Sequence, residues 1–146
     1  MPACVEYRCR MLSNVSPGAI APIGAAVAIG VGGFCGAIAR WGTSMLADAL
    51  LGNRFPFGTL GANLLGCFLI GLLKTSFDRG GASPVLTLAL LTGFLGAYTT
   101  FSTFSLDTVA LARATGARGA AVYVTVSVVG GLALCLAGVR LGGGLR

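Results

Sequence analysis

The chain contains no histidine, and only 10% of its residues are charged. Its five cysteines form no CxxC pair, so the sequence offers no zinc or haem motif. The acids number only four, Glu6, Asp48, Asp78 and Asp107, and none lies in the middle of an apolar segment. A proton-coupled transporter normally needs an ionisable group inside the bilayer, so this absence argues strongly against that class.

Long charge-free stretches take up most of the chain, of which 55% is hydrophobic. They cover residues 11–39, 55–73, 80–106 and 119–139. Each reaches the roughly 17–25 residues that a helix needs to cross a bilayer, whereas transmembrane strands alternate over about ten residues. The sequence therefore predicts an all-α integral membrane protein with four transmembrane helices. A tail at 1–17 would precede a four-helix domain at 18–141, and a second tail would occupy 142–146.

Turn residues and charges predict the helix boundaries. Helix 1 is expected over about 20–41, retained because its apolar run exceeds the roughly 7–15 residues of a signal-peptide core. A connection at 42–54 would follow, with a short apolar piece at 44–51 lying in the interface. Helix 2 is expected from Pro56 to Lys74, before a polar loop at 76–83. Helix 3 is expected to start at Pro84, and helix 4 is expected over 120–139.

The sequence Gly-Ala-Tyr-Thr-Thr-Phe-Ser-Thr-Phe-Ser at 96–105 places five serines and threonines and two phenylalanines inside an apolar span. Lipid offers no hydrogen bonds, so a polar cluster at that depth usually lines a path or a site. No residue between Gly80 and Leu106 is charged, which leaves hydroxyls, backbone groups and ring edges to make contacts. This set excludes most enzyme chemistry and indicates a small ion.

Helix 3 is also unusually long. Its charge-free run of residues 80–106 would extend about 40 Å as a helix, against a hydrocarbon core of about 30 Å. A tilted intact helix explains this length. A helix broken near Gly96–Thr100 explains it too, because glycine and threonine are weak helix formers, and it also explains the hydroxyl cluster. Breaks at membrane depth expose carbonyls on one half and N–H groups on the other, which makes them ion sites.

Helix 2 carries the amide of Asn63, with Thr59 one turn earlier on the same face. A buried amide needs partners, and an interhelical hydrogen bond that fixes packing would supply them. Alternatively, the amide donates to a passing anion. Arg40, at the expected end of helix 1, is either an arginine that reaches the interface or part of a vestibule that concentrates anions.

Aromatic and hydroxyl residues form two further candidate groups. Phe101 and Phe104 share a helix face, and such a pair usually contacts lipid or packs in a core. Their positive ring edges could instead interact with a small anion, with Ser102 supplying a donor beside them. Tyr123 and Ser127 lie one turn apart on helix 4 and would form a short polar stripe.

Four sequence segments resemble the Fluc/CrcB family of fluoride channels. They are GGFCGAIARW at 32–41, FPFGTLGANLLGCFLIGLL at 55–73, GFLGAYTTFSTFSLD at 93–107 and YVTVS at 123–127. The resemblance implies an antiparallel, dual-topology dimer of four-helix subunits in the cell membrane, with two narrow pores at the interface. It also implies passive export that lowers cytoplasmic fluoride.

The resemblance implies a role for each candidate residue. The backbone carbonyls of Gly96 and Thr99 would hold a structural sodium ion at the dimer centre. Phe101 and Phe104 would line the pore, and Asn63 would donate to fluoride. The other pore positions would be Arg40 at the cytoplasmic vestibule, Thr59 near the amide, Ser102 beside the rings, and Tyr123 and Ser127 on helix 4.

Three positions depart from the family pattern. Gly131 stands where relatives often carry a hydroxyl, Asp107 where many have glutamate, and Tyr98 adds bulk near the proposed central site. These departures leave open a chain specialised for a heterodimer with an oppositely oriented homologue. A small four-helix transporter and a non-conducting partner subunit remain the alternative functions.

Charge distribution bears on partners and orientation. The net charge of +6 would suggest nucleic acid in a soluble protein, but here the basic residues sit at helix ends, so lipid is the expected partner. The side with both termini would carry Arg8, Arg10, Lys74, Arg79, Arg140 and Arg146, against Arg40, Arg54, Arg113 and Arg118 on the other. Translation from Met11 would remove Arg8 and Arg10 and leave four basic residues on each side. The near balance predicts insertion in both orientations.

Overall fold

The computed structural model describes residues 21–143, and its regular structure is helical throughout that part of the chain. Four helical spans are long and apolar enough to cross a membrane, which confirms the predicted all-α class. They are α1 (Pro22–Leu51), α2 (Phe57–Gly80), a third span (Pro84–Thr115) and a fourth (Ala117–Leu141). The expected tail at 1–17 and the last three residues lie outside the described residues.

Helix α1 is longer than the sequence predicted. The expected connection at 42–54 is helical as far as Leu51, so the piece at 44–51 forms the last turns of α1 and is not a separate interfacial segment. Gly42 does not end the helix, because it keeps a negative φ and the helix runs on to Leu51. The helix ends at Gly52, whose φ of 78° favours glycine and whose N–H bonds Asp48.

Helix α2 also continues beyond its predicted end at Lys74. The Lys74 ammonium lies 2.5 Å from the Asp78 carboxylate one turn later, a pairing that stabilises helix. Gly81 terminates α2 in the left-handed conformation, with φ 67° and its N–H bonded to Phe77. The predicted loop at 76–83 is therefore limited to residues 81–83.

The third span consists of several segments that differ in backbone conformation. Thr99 and Thr100 are extended, with φ/ψ of −84°/155° and −151°/121°. We call these two residues the extended pair. Before them lie α3 (Pro84–Thr87), a π-helical segment (Leu88–Leu95) and α4 (Gly96–Tyr98); after them come α5 (Phe101–Thr115) and, beyond Gly116, α6 (Ala117–Leu141).

Glycines allow the helices to approach one another closely. A Cβ on Gly36 would collide with the Phe94 carbonyl oxygen, and one on Gly93 would lie 2.6 Å from that of Ile29. These glycines seat the π-helical segment on α1. On the other side of the subunit, Gly138 of α6 meets the Phe68 carbonyl of α2 in the same way.

Large apolar side chains cover the outside of the subunit. Phe34 and Ile38 of α1 are 70% and 52% exposed, and comparable residues recur along the other helices. Such continuous apolar surface is covered by lipid or by another protein in membrane proteins. The four spans and this surface establish a multi-pass membrane protein.

Candidate functional site

A groove of about 360 Å³ runs alongside the extended pair, between α2, the third span and α6. Polar groups occur in a wall that is otherwise made of apolar residues and glycines. Six residues that the sequence singled out line it: Asn63, Gly96, Thr99, Phe101, Phe104 and Ser127. The fold thus brings most of the candidate residues together.

Asn63 binds the backbone of the extended pair through both ends of its amide. Its Nδ2 donates to the Thr100 carbonyl at 3.1 Å, and its Oδ1 accepts from the Thr100 N–H at 2.8 Å. The interhelical hydrogen bond weighed from the sequence is therefore present. An amide NH₂ carries two hydrogens, so one donor remains for the groove. Its use by an anion stays a prediction.

These contacts divert two N–H groups from their helical acceptors. In an uninterrupted helix, Thr100 N–H would bond the Gly96 carbonyl and Thr103 N–H the Thr99 carbonyl. Instead, Thr100 N–H goes to Asn63, and Thr103 N–H goes to the Thr100 hydroxyl at 3.2 Å. The Gly96 and Thr99 carbonyls, named as sodium ligands, are among those that lose their helical donors here, and hard carbonyl oxygens suit a cation such as sodium.

The start of α5 has the opposite polarity. The first N–H groups of a helix have no acceptor within it, and the helix dipole makes that end positive. Phe101 is the first residue of α5 and is 80% exposed, while Phe104 is half-buried. Their ring centroids lie 5.7 Å apart at an interplanar angle of 41°. The backbone before the extended pair therefore offers carbonyl oxygens, and the backbone after it offers N–H groups beside aromatic rings.

A second cavity, of about 380 Å³, lies towards the end of α1 and the start of α2. Thr59 lines this cavity and not the groove, although it is one turn from Asn63. Charged groups surround it, in contrast to the groove: Asp48, Arg54 and Asp107 all contribute to its wall.

Tyr123 lies between the two cavities and is completely buried. Its ring centroid is 5.3 Å from that of Phe104 in the groove and 5.6 Å from that of Phe55 in the second cavity. The Tyr123 hydroxyl, Ser127 Oγ and Asp107 Oδ2 are buried, and none forms a hydrogen bond of normal geometry among residues 21–143, although the Tyr123 hydroxyl interacts with Asp107 and Thr59. We call these three residues the polar ladder. Ser127 lines the groove, Asp107 lines the second cavity, and Tyr123 lies between the two cavities.

Comparison with known proteins assigns the chain to a family. The sequence model described as CrcB-like protein, Camphor Resistance (CrcB), matches residues 27–139, which include every candidate site residue. The chain belongs to the CrcB family.

Individual CrcB relatives named Fluoride-specific ion channel FluC match along most of their length. The protein from Ruminiclostridium cellulolyticum is 47% identical over 117 residues, or 80% of this chain and 87% of the relative. The Rhizobium johnstonii protein is 41% identical over 120 residues, covering 80% and 94%. The Pseudomonas putida protein is 44% identical over 115 residues, covering 78% and 93%.

Two residues expected from the CrcB resemblance line neither cavity. Arg40 is half-buried within α1, well before the helix ends, and lines neither cavity. Ser102 is exposed, with its hydroxyl 3.2 Å from that of Thr100. Their roles as vestibule and pore residues stay predictions.

The departures from the CrcB pattern also have definite positions. A Cβ on Gly131 would lie 3.2 Å from the Cys67 sulfur, so a thiol occupies the neighbourhood where the family resemblance led us to expect a hydroxyl. The Tyr98 side chain packs inside its own subunit and is only 4% exposed, so its bulk does not occupy the outer surface of the third span.

Parts of the second cavity were not predicted from the sequence. Asp107 was expected only as a departure from the family pattern, and Phe55, which packs against Tyr123, was not a candidate. The position of Asp107, immediately after the charge-free run of the third span, was the available signal. Nothing in local sequence indicates that Phe55, before the first turn of α2, meets α6.

Proposed function

We propose that the chain is a fluoride channel that exports the ion passively and lowers its cytoplasmic concentration. The groove supports this proposal most directly, because it combines the free N–H of Asn63 with the Phe101 and Phe104 rings and contains no charged side chain. Close CrcB relatives carry the name of that activity. A channel role would make the protein a conduit and not an enzyme.

Fluoride chemistry fits the groove. The ion accepts hydrogen bonds and gives none, so donors and positive ring edges can replace part of its hydration. Conduction needs sites weak enough to release the ion, and a cationic side chain in the bore would hold it too tightly. The groove would lead through the polar ladder to the second cavity, where Thr59 and Asp107 stand.

The sodium site is part of the proposal. The Gly96 and Thr99 carbonyls would hold the ion, which would add fixed positive charge beside the anion path. The diverted N–H groups of Thr100 and Thr103 support this, since they leave both oxygens without their helical donors.

The functional unit would be an antiparallel homodimer in the cell membrane. Phe101 projects from the subunit with 80% of its surface exposed, and the groove opens beside it. A second copy, inverted in the bilayer, would cover this surface and close the pore. A heterodimer with an oppositely oriented homologue is the alternative.

Ion efflux from liposomes containing only this protein tests the function. Fluoride should leave passively while chloride stays, and protein-free liposomes provide the control. Chloride efflux at a comparable rate would show that the channel does not select fluoride over chloride. Fluoride movement that requires a pH gradient would favour the small transporter, and no movement would favour a non-conducting partner subunit.

Cysteine labelling tests the dimer. Arg146→Cys, in a background lacking the native cysteines, should react with an impermeant reagent from both sides of the membrane. Labelling from one side alone would rule out the inverted homodimer and favour the heterodimer.

A further inference from the structure

We propose that Tyr98 and Thr43 are positioning residues that fix the extended pair to α1 and so orient the carbonyls of the sodium site. The inference rests on the proposed function and deepens it. It concerns the residue immediately before Thr99, where the backbone leaves the helix.

The polarity of the contact follows from counting protons. Thr43 Oγ1 donates to the Ala39 carbonyl at 2.9 Å and lies 3.1 Å from the Tyr98 hydroxyl. A threonine hydroxyl has one hydrogen, and the Ala39 bond uses it. Tyr98 is therefore the donor, in a chain that ends on the backbone of α1.

Packing fixes the Tyr98 ring as well as its hydroxyl. The ring stacks on Phe94 with centroids 5.8 Å apart and planes 11° from parallel. A Cβ on Gly66 would lie 3.7 Å from Tyr98 Cδ1 and would collide with the Thr99 methyl group. The side chain is 4% exposed, so it is enclosed by α1, α2 and the third span.

The extended pair and the residue before it are thus attached to two different helices. Asn63 attaches Thr100 to α2, while Tyr98 attaches the preceding residue to α1. Tyr98 also lies between Gly96 and Thr99 in the chain. Ion sites require ligands placed within about 0.5 Å. Loss of the Tyr98 hydroxyl bond lets the short segment Gly96–Tyr98 rotate, which changes the direction of both carbonyls.

Tyr98→Phe and Thr43→Val test the inference, because each removes one hydroxyl and keeps the shape. The measurements are the sodium dependence of the melting temperature and of fluoride efflux, with N-methylglucamine as the replacement cation. We expect each variant to need about tenfold more sodium for half of the effect, as the loss of one hydrogen bond implies. Together the two changes should act as one, since they remove the same bond.

Thr75→Val is the matched control. Its hydroxyl donates to the Gly71 carbonyl at 2.8 Å, the same kind of bond as that from Thr43 to Ala39, but on α2 away from the extended pair. It should leave the sodium dependence unchanged. If Tyr98→Phe lowers the melting temperature while sodium dependence stays as in wild type, or if the double variant is additive, the positioning role is wrong.

The two proposals fail in different ways. A wild-type protein that shows sodium-dependent melting but no fluoride efflux would refute the channel function, and the positioning role of Tyr98 and Thr43 would then be judged by melting alone. A wild-type protein that conducts fluoride but is indifferent to sodium in both measurements would refute that positioning role and retain the channel.

Discussion

The two halves of the third span differ in how they are held. Residues 84–98 bury Gly93, Leu95 and Tyr98 against the rest of the subunit, whereas α5 buries only Leu111. The first half carries the close glycine contacts with α1, and the second carries exposed Phe101 and the hydroxyl cluster.

We call residues 84–98 the scaffold half of the third span and α5 its working half. The first half is positioned by its own subunit, because its backbone meets that of α1 without intervening side chains. The second half contacts α6 and leaves its aromatic and hydroxyl groups available to an ion or a second copy. Substitutions at the close glycine contacts of the first half should therefore change stability, and those around the extended pair and the second half should change conduction.

Asn63→Asp should have the largest effect on conduction, since Asn63 ties the start of the working half to α2. The substitution removes the donor to the Thr100 carbonyl and places an acceptor, potentially anionic, in the groove. A penalty of about 3 kcal/mol would lower fluoride efflux by about a hundredfold.

Ser76→Asp is its control, because Ser76 lies on the same helix, lines neither cavity and receives the same carboxylate. Efflux from both variants is compared at equal amounts of folded protein. If Asn63→Asp conducts as well as Ser76→Asp, the amide serves only packing.

Gly93→Ala tests the scaffold half. Its new methyl group would lie 2.6 Å from the Ile29 carbonyl oxygen and 3.0 Å from the Gly33 nitrogen, and neither backbone atom can move away freely. Overpacking of this kind costs about 1–3 kcal/mol, so the melting temperature should fall. Fluoride efflux per folded protein should change little.

Gly30→Ala is the appropriate comparison, since nothing lies within 4 Å of its added methyl group. It should melt like wild type. Equal melting of the two alanine variants would mean that α1 and the π-helical segment are not closely packed in the membrane.

Phe101→Ile and Phe104→Ile probe the working half with the smallest expected effect. Each removes a ring edge with limited change in bulk, and an aromatic contact of about 1 kcal/mol corresponds to about a fivefold loss of efflux. Phe34→Ile, on the exposed face of α1, should conduct normally. Unchanged efflux in both pore variants would return these rings to a packing role.

The sequence predicted the four spans correctly because charge-free length is a local property. The ends of α1 and α2 were wrong for local reasons as well: Gly42 looked like a boundary, and the Lys74–Asp78 pair that extends α2 looked like part of a polar loop. In both places the helix continues until a glycine with positive φ ends it, Gly52 for α1 and Gly81 for α2.

The site was predictable only in part. Weak helix formers at 96–100 marked the region that holds the extended pair, and Asn63 was recognisable as a polar group in an apolar helix. The partners of these groups come from elsewhere in the chain, as with Asn63 and Thr100 or Thr43 and Tyr98. Such contacts depend on how the helices cross, which periodicity does not reveal.

The connection between α5 and α6 is a single residue, Gly116, whose φ is 80°. A single residue cannot cross the bilayer, so the end of α5 and the start of α6 lie at the same membrane surface. Arg113 and Arg118 are therefore placed on the same side of the membrane in either orientation of the subunit. The fate of those two charges is decided together, and the number of independent choices during biogenesis is smaller than the number of helices.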